Sequence, residues 1–244
     1  MSQPSTIAAL AIAMPRSIAV FQRLKIDYCC HGDQAIQQAC SGAGITTDEL
    51  MALINAEPAT AEVRKWDHAR VTDIIAFIND THHAYTRQSC ETLQWMSAKV
   101  ATRHGAHHPE LVELSHFVAE IIDDLLPHMM KEEQVLFPYA MQLDRGETAY
   151  GCFGTARNPV RMMMLEHEAV GEKLDQMRGI TSDYALPDDA CTTYTAYFNL
   201  LQELERDLHN HIHLENNILF PRIIELEETV PAAMTGAAWG PRLR

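Results

Sequence analysis

The sequence is poor in aromatic residues, at 7%, and in positive charge, with 19 Lys and Arg against 33 Asp and Glu. Scarce aromatics disfavour a β-sandwich, whose strands draw on aromatic and β-branched side chains, and alternating Val, Ile and Thr runs are missing as well. A formal net charge of −14 with neutral histidines repels phosphate backbones and anionic headgroups. Nucleic acid and membrane surfaces are therefore not expected partners. No apolar run approaches the roughly 20 residues needed to cross a bilayer. The short run from Ile7 to Met14 has no Lys or Arg before it and is followed by Pro15-Arg16, which is not the pattern of a secretory signal. Without such a signal the six cysteines (29, 30, 40, 90, 152 and 191) read as thiols and the expected location is cytoplasmic.

What is abundant is histidine, 13 residues in 244, and imidazole is the commonest transition-metal ligand. The length allows one large domain or a domain plus a small one. Residues 1–57 read as a small helical unit with helices over Ser17 to Ile26 and Thr47 to Ile54, capped by Ser17 and by Thr46 or Thr47. Between them lies Asp27-Tyr28-Cys29-Cys30-His31-Gly32. Residues 58–66 read as a linker. From residue 67 to 244 the pattern predicts four amphipathic helices, over about 67–102, 109–143, 159–178 and 188–228. Gly105, Asn158-Pro159 and Pro187-Asp188 mark the breaks. The expected fold is all-α: an antiparallel four-helix bundle preceded by the small helical unit.

Two segments of the bundle match across 83 residues. His128-Met129-Met130-Lys131-Glu132 is followed by Leu136-Phe137-Pro138, and His211-Ile212-His213-Leu214-Glu215 by Leu219-Phe220-Pro221. Helical residues four apart lie about 40° apart on one face, so each segment aims an imidazole and a carboxylate into one space. One such pair is commonplace on a helix surface. Two in register indicate repeated structure. Partner histidines lie at similar offsets before them: His83 precedes His128 by 45 residues, and His167 precedes His211 by 44. Gly105-Ala106 lies midway between His83 and His128, where a hairpin turn is already expected. The midpoint of the second pair, residue 189, falls at the edge of its loop rather than its centre, so the second hairpin is expected to be unsymmetrical. The candidate metal ligands are His83, His128, Glu132, His167, His211 and Glu215. Carboxylate with imidazole suits iron or manganese. Two ions sharing both carboxylates would keep open positions, hence reactivity, and neighbouring Glu side chains would orient the rings.

These residues resemble the RIC family, hemerythrin-like di-iron proteins for repair of iron–sulfur clusters. The likeness covers nearly the whole chain, through Asp27 to Gly32, His128 to Glu133 and His211 to Pro221. It implies two non-haem iron ions, oxo- or hydroxo-bridged, and NO or O2 as small-molecule ligands. It also implies recovery from nitrosative and oxidative stress by donation of iron to damaged iron–sulfur proteins. The family pattern of an Arg four residues after the first ligand selects His83, with Arg87, over His82. An NO-reducing enzyme and an O2- or NO-binding sensor are the alternatives, and a homodimer is left open. Cys29 and Cys30 are candidates for redox chemistry or iron transfer, with a thiol pKa lowered by a helix start and His31; otherwise they are small residues in a tight turn. Of the rest, His104, His107 and His108 read as solvated turn residues and His209 and His213 as exposed. Glu133, Glu166 and Glu168 are expected to face solvent or neighbouring helices, and Met162-Met163-Met164 to be core.

Overall fold

The computed structural model describes residues 4–58, 66 and 68–229. Most of the expected linker, residues 59–65, lies outside the described residues, as do Asp67 and 230–244. The described residues contain eight helices and no β-strand: α1 (Ile7–Ala13), α2 (Ser17–Leu24), α3 (Ile36–Gly42), α4 (Thr47–Ala56), α5 (71–104), α6 (110–144), α7 (Arg157–Ile180) and α8 (192–229). The all-α expectation holds, as does the bundle behind a small helical unit. None of these helices is long and apolar enough to cross a membrane.

Four of the eight form the leading unit, where the sequence predicts two. Ile7–Ala13 is a helix because the Thr6 hydroxyl caps it. Thr46 caps α4 in a full capping box with Glu49. Ser17 does not cap α2; it is the first helical residue and is buried. Between α2 and α3 the chain turns around Asp27. Its carboxylate accepts the backbone N–H groups of Cys29 (2.9 Å), Cys30 (2.9 Å) and His31 (3.1 Å), and sits 2.7 Å from His31 Nδ1. Gly32 completes the turn, since a Cβ there would lie 2.7 Å from Ala8 Cβ and 2.8 Å from the Tyr28 carbonyl.

Burial pushes the Asp27 carboxyl up, but the bonds from His31 and from the Cys30 and Cys29 backbones outweigh it, holding it below its ordinary 3.8. A depressed carboxyl stabilises the fold above its unfolded value and ceases to do so as pH falls through the folded one. Asp27→Ala is therefore expected to cost about 2 kcal/mol at neutral pH, allowing for solvent screening. In urea unfolding the gap from wild type should close as pH drops below about 4.

In the bundle, α5 packs along α6 and α8, and α6 along α7. The turn between α5 and α6 spans 105–109, around the expected Gly105. The second hairpin is unsymmetrical as the spacing requires. The α7 helix ends at Ile180 and α8 begins only at Thr192, so the difference lies in helix length. Two apolar clusters fill the ends of the bundle. One gathers Leu93, Leu114, Leu174 and Phe198; the other gathers Ile74, Phe137, Val160 and Phe220. A polar layer separates them. Met162-Met163-Met164 is not uniformly core: Met163 is buried and its neighbours are exposed, because successive helical residues point about 100° apart.

Candidate metal centre

Three of the four long helices change winding at this layer. π turns run over Ile78–His83 in α5, Glu132–Leu136 in α6 and Glu215–Leu219 in α8. The last two stand directly before Phe137-Pro138 and Phe220-Pro221. Proline has no N–H to bond the carbonyl four residues back and its ring crowds that carbonyl, so the helix widens there. The repeat's Leu-Phe-Pro therefore does more than pack. It re-aims the Glu in each copy, and its Phe lies nearly parallel to a histidine of the neighbouring helix. Phe137 faces His83 at 5.8 Å and 15°, and Phe220 faces His167 at 6.0 Å and 5°.

The six predicted residues come together. Glu132 and Glu215 are fully buried, and His83, His128, His167 and His211 are each 5% exposed or less. They form two sets of four, each with candidate ligand atoms within 4.8 Å of one another: His83, His211, Glu132 and Glu215; and His128, His167, Glu132 and Glu215. Each carboxylate gives one oxygen to each set. Glu132 Oε2 is 3.4 Å from His83 Nε2, and Oε1 is 3.4 Å from His128 Nε2. Glu215 Oε1 is 3.0 Å from His211 Nε2, and Oε2 is 3.2 Å from His167 Nε2. Within the sets, His83 and His211 bring their Nε2 atoms to 3.2 Å, and His128 and His167 to 3.0 Å.

Those separations fit cations. Two donors at about 2.1 Å from one ion and 90° apart are roughly 3 Å from each other. For His83, His128 and His167 the nitrogen facing inward is also the lone-pair nitrogen, because the outer one is engaged. His83 Nδ1 lies 2.7 Å from Glu133 Oε1, His128 Nδ1 2.7 Å from Glu166 Oε2, and His167 Nδ1 2.9 Å from Asn216 Oδ1. An Nδ1–H donated outward leaves Nε2 as an acceptor. In the His128–His167 pair two such lone pairs aim at each other, and they repel unless a cation lies between them. None of the four carboxylate oxygens of Glu132 and Glu215 has a hydrogen-bond partner, although burying two unpaired charges costs several kcal/mol each.

The two buried carboxylates dominate the electrostatics of the layer. Burial and the Glu215 charge push Glu132 up, but His128 and His83 hold it below the usual carboxylate range. Burial likewise opposes ionisation of Glu215, which His211 and His167 hold well below that range. Burial lowers His128, yet the adjacent Glu132 and Glu215 carboxylates and the bond to Glu166 lift it to about 9.

One expectation is sharpened by what surrounds the layer, and two are corrected. Of the two expected surroundings, Glu133 and Glu166 take the neighbouring helices: they hold His83 and His128, and Arg87 donates to both Glu133 oxygens at 2.9 Å. Their position one residue beside a candidate ligand turns them toward the adjacent helix, a signal the sequence did carry. His213 is 3% exposed and His209 half-buried, because the leading unit covers that face of α8. Tyr28 packs on His213 at 5.4 Å. Nor is the Cys29 thiol lowered; the Cys30 sulfur, burial and Asp27 push it up. Cys29 and Cys30 are both free, with sulfurs 3.9 Å apart. With Asp27 they make a third group that could hold a cation. They line a cavity of about 450 Å³ between the leading unit and the bundle, with Glu168, Arg178 and His209. A second cavity, of about 210 Å³, reaches His128, His167 and His211 beside Leu125 and Pro127.

Glu133→Ala frees the His83 ring and its tautomer. It is expected to weaken the binding of one ion about 10- to 100-fold, read by competition with a chromophoric chelator.

Fold and site together define a helical bundle protein with a buried, cation-binding histidine and glutamate layer. Residues 74–223 match the hemerythrin HHE cation binding domain, and residues 3–57 match ScdA_N, a domain of unknown function (DUF542). The chain belongs to the hemerythrin HHE family, with an ScdA_N domain leading it. It is 36% identical over 225 residues to the iron-sulfur cluster repair protein YtfE of Yersinia pestis (strain Pestoides F), covering 91% of this chain and 97% of that protein. The same identity and coverage hold for the YtfE proteins of Yersinia pestis bv. Antiqua (strain Angola) and Yersinia pseudotuberculosis serotype O:1b (strain IP 31758).

Proposed function

We propose that this chain is a cytoplasmic di-iron protein that repairs iron–sulfur clusters after nitrosative or oxidative damage by giving up iron from the layer described above. One observation carries the site: two buried carboxylates, each with one oxygen toward each of two histidine pairs. His83 and His211 would hold one iron, His128 and His167 the other, with Glu132 and Glu215 shared and an oxo or hydroxo bridge completing the pair. Bound iron supplies a redox-active Lewis acid able to take NO or O2. Four neutral imidazoles and two carboxylates are a modest donor set beside thiolate cages, which suits iron that must leave again. The full-length similarity to proteins named for cluster repair supports the donor reading over oxygen storage.

Cys29 and Cys30 are proposed as the receiving or relaying thiols. They stand on the leading unit, and Asn216 spans the gap to the bundle: its Oδ1 accepts from His167 and its Nδ2 donates to the Cys29 carbonyl at 3.1 Å. Binding of iron by such thiols would have to displace their protons.

The test loads the purified chain with two ferrous ions. It is then mixed anaerobically with a client enzyme stripped of its cluster, and separately with NO and a reductant. Recovery of client activity matched by iron lost from the chain is expected. Catalytic N2O formation without iron loss would instead establish the NO-reducing alternative.

A further inference from the structure

Three of the four histidines in the layer have their outer nitrogen held, by Glu133, Glu166 and Asn216. The fourth, His211, does not: its Nδ1 is buried with no hydrogen-bond partner. An imidazole aimed by Nε2 alone can rotate about its Cβ–Cγ bond and tilt its lone pair off the ion. Something else must fix that ring.

The residue beside it is His82, which no part of the functional reading uses. Its ring lies parallel to that of His211, with centroids 5.5 Å apart and 4° between the planes. His82 is itself tied down on two sides. Its Nδ1 lies 2.9 Å from Asp207 Oδ1, and Phe77 meets it edge-on at 5.4 Å and 83°. It is 5% exposed. Asp207 stands one turn before His211 on α8, so the carboxylate that anchors His82 and the imidazole that His82 faces share a helix face. Asp207, His82 and His211 form a bracket closed on one stretch of α8.

We propose that His82 is a positioning residue for His211: its anchored ring sets the plane of the His211 imidazole by stacking, doing for this ligand what a hydrogen-bonded Glu or Asn does for the other three. The proposal rests on the di-iron reading for its readout. Stacking of this kind needs a flat ring held in place, and Phe77 would still meet a phenyl ring edge-on where the Asp207 contact is lost. A phenyl ring in the same place should therefore serve, and a methyl group should not. The effect should also be local, because the His128 and His167 rings are held by partners on α7 and α8 that His82 does not touch.

The experiment loads wild type, His82→Ala and His82→Phe with two ferrous ions each and follows release to excess chromophoric chelator under anaerobic conditions. From His82→Ala, half of the iron is expected to leave at least about tenfold faster than from wild type. The other half should leave at the wild-type rate, which also reports that the bundle is folded. His82→Phe is expected to stay within about threefold of wild type. Wild-type release of all the iron from His82→Ala would overturn the proposal, as would equal acceleration of both ions, or a His82→Phe variant as fast as His82→Ala. The two readings fail separately: a wild-type chain that takes up fewer than two irons overturns the di-iron site itself.

Discussion

Replacing Glu132 and Glu215 together by Gln is expected to take iron binding from two ions per chain to none. In the proposed di-iron site each carboxylate would serve both ions, so the double change would remove every carboxylate ligand and both negative charges at once. The layer would then ask four neutral imidazoles alone to hold two dications in a site sealed by apolar clusters on either side, and the desolvation cost is too large. Gln keeps the volume of Glu, so the packing between the clusters is preserved. Its amide N–H groups can bond the imidazole lone pairs that cations would otherwise face. The variant should therefore fold, with an unchanged far-ultraviolet circular dichroism spectrum, while metal analysis after anaerobic loading finds no bound iron. One or more equivalents retained on the folded variant would mean that the ions are held elsewhere.

Asn216→Leu is expected to have the next largest effect, and on two properties together. Asn216 is buried, and its two amide ends face different parts of the molecule. Loss of Oδ1 leaves the His167 Nδ1–H without an acceptor, and loss of Nδ2 removes a donor to the Cys29 carbonyl. Asn217 also donates to the Tyr28 carbonyl at 3.1 Å, and Ile212 packs into the apolar cluster of the leading unit. The interface should therefore survive in weakened form. The His167 Nδ1–H is left without an acceptor, and the Cys29 carbonyl keeps only the longer bond from Asn217 at 3.4 Å; the cost is about 1–3 kcal/mol, read as a lower denaturant midpoint. The His167 ring, no longer held, should weaken one ion about 10- to 100-fold. A variant that lost stability but kept both iron affinities would show that Asn216 is a docking residue only.

The histidine and glutamate layer was legible because it is written as a register. Residues four apart on one helix, repeated after 83 positions, can be read without knowing where the helices pack. The turn at Gly105 follows from the same arithmetic. What the register could not show is whatever depends on a second element reaching across. His213 looks exposed when α8 is considered within the bundle alone; Tyr28 of the leading unit buries it. Asn216 carries no periodic signal, and its role exists only because the Cys29 turn lies against it. Glu133 and Glu166 could be assigned only to solvent or a neighbouring helix, because the histidines they hold are distant in sequence. The Leu-Phe-Pro tail suggests packing and a helix kink; that the kink takes the form of a π turn is visible only in the folded helix. The two extra short helices of the leading unit, at 7–13 and 36–42, were hidden because seven residues are too few for a clear period.

The most direct measurement of the central claim is anomalous scattering at the iron absorption edge from crystals of the iron-loaded chain. Two peaks are expected between Glu132 and Glu215, one beside His83 and His211 and the other beside His128 and His167. A single peak, or peaks lying outside this layer, would contradict the account.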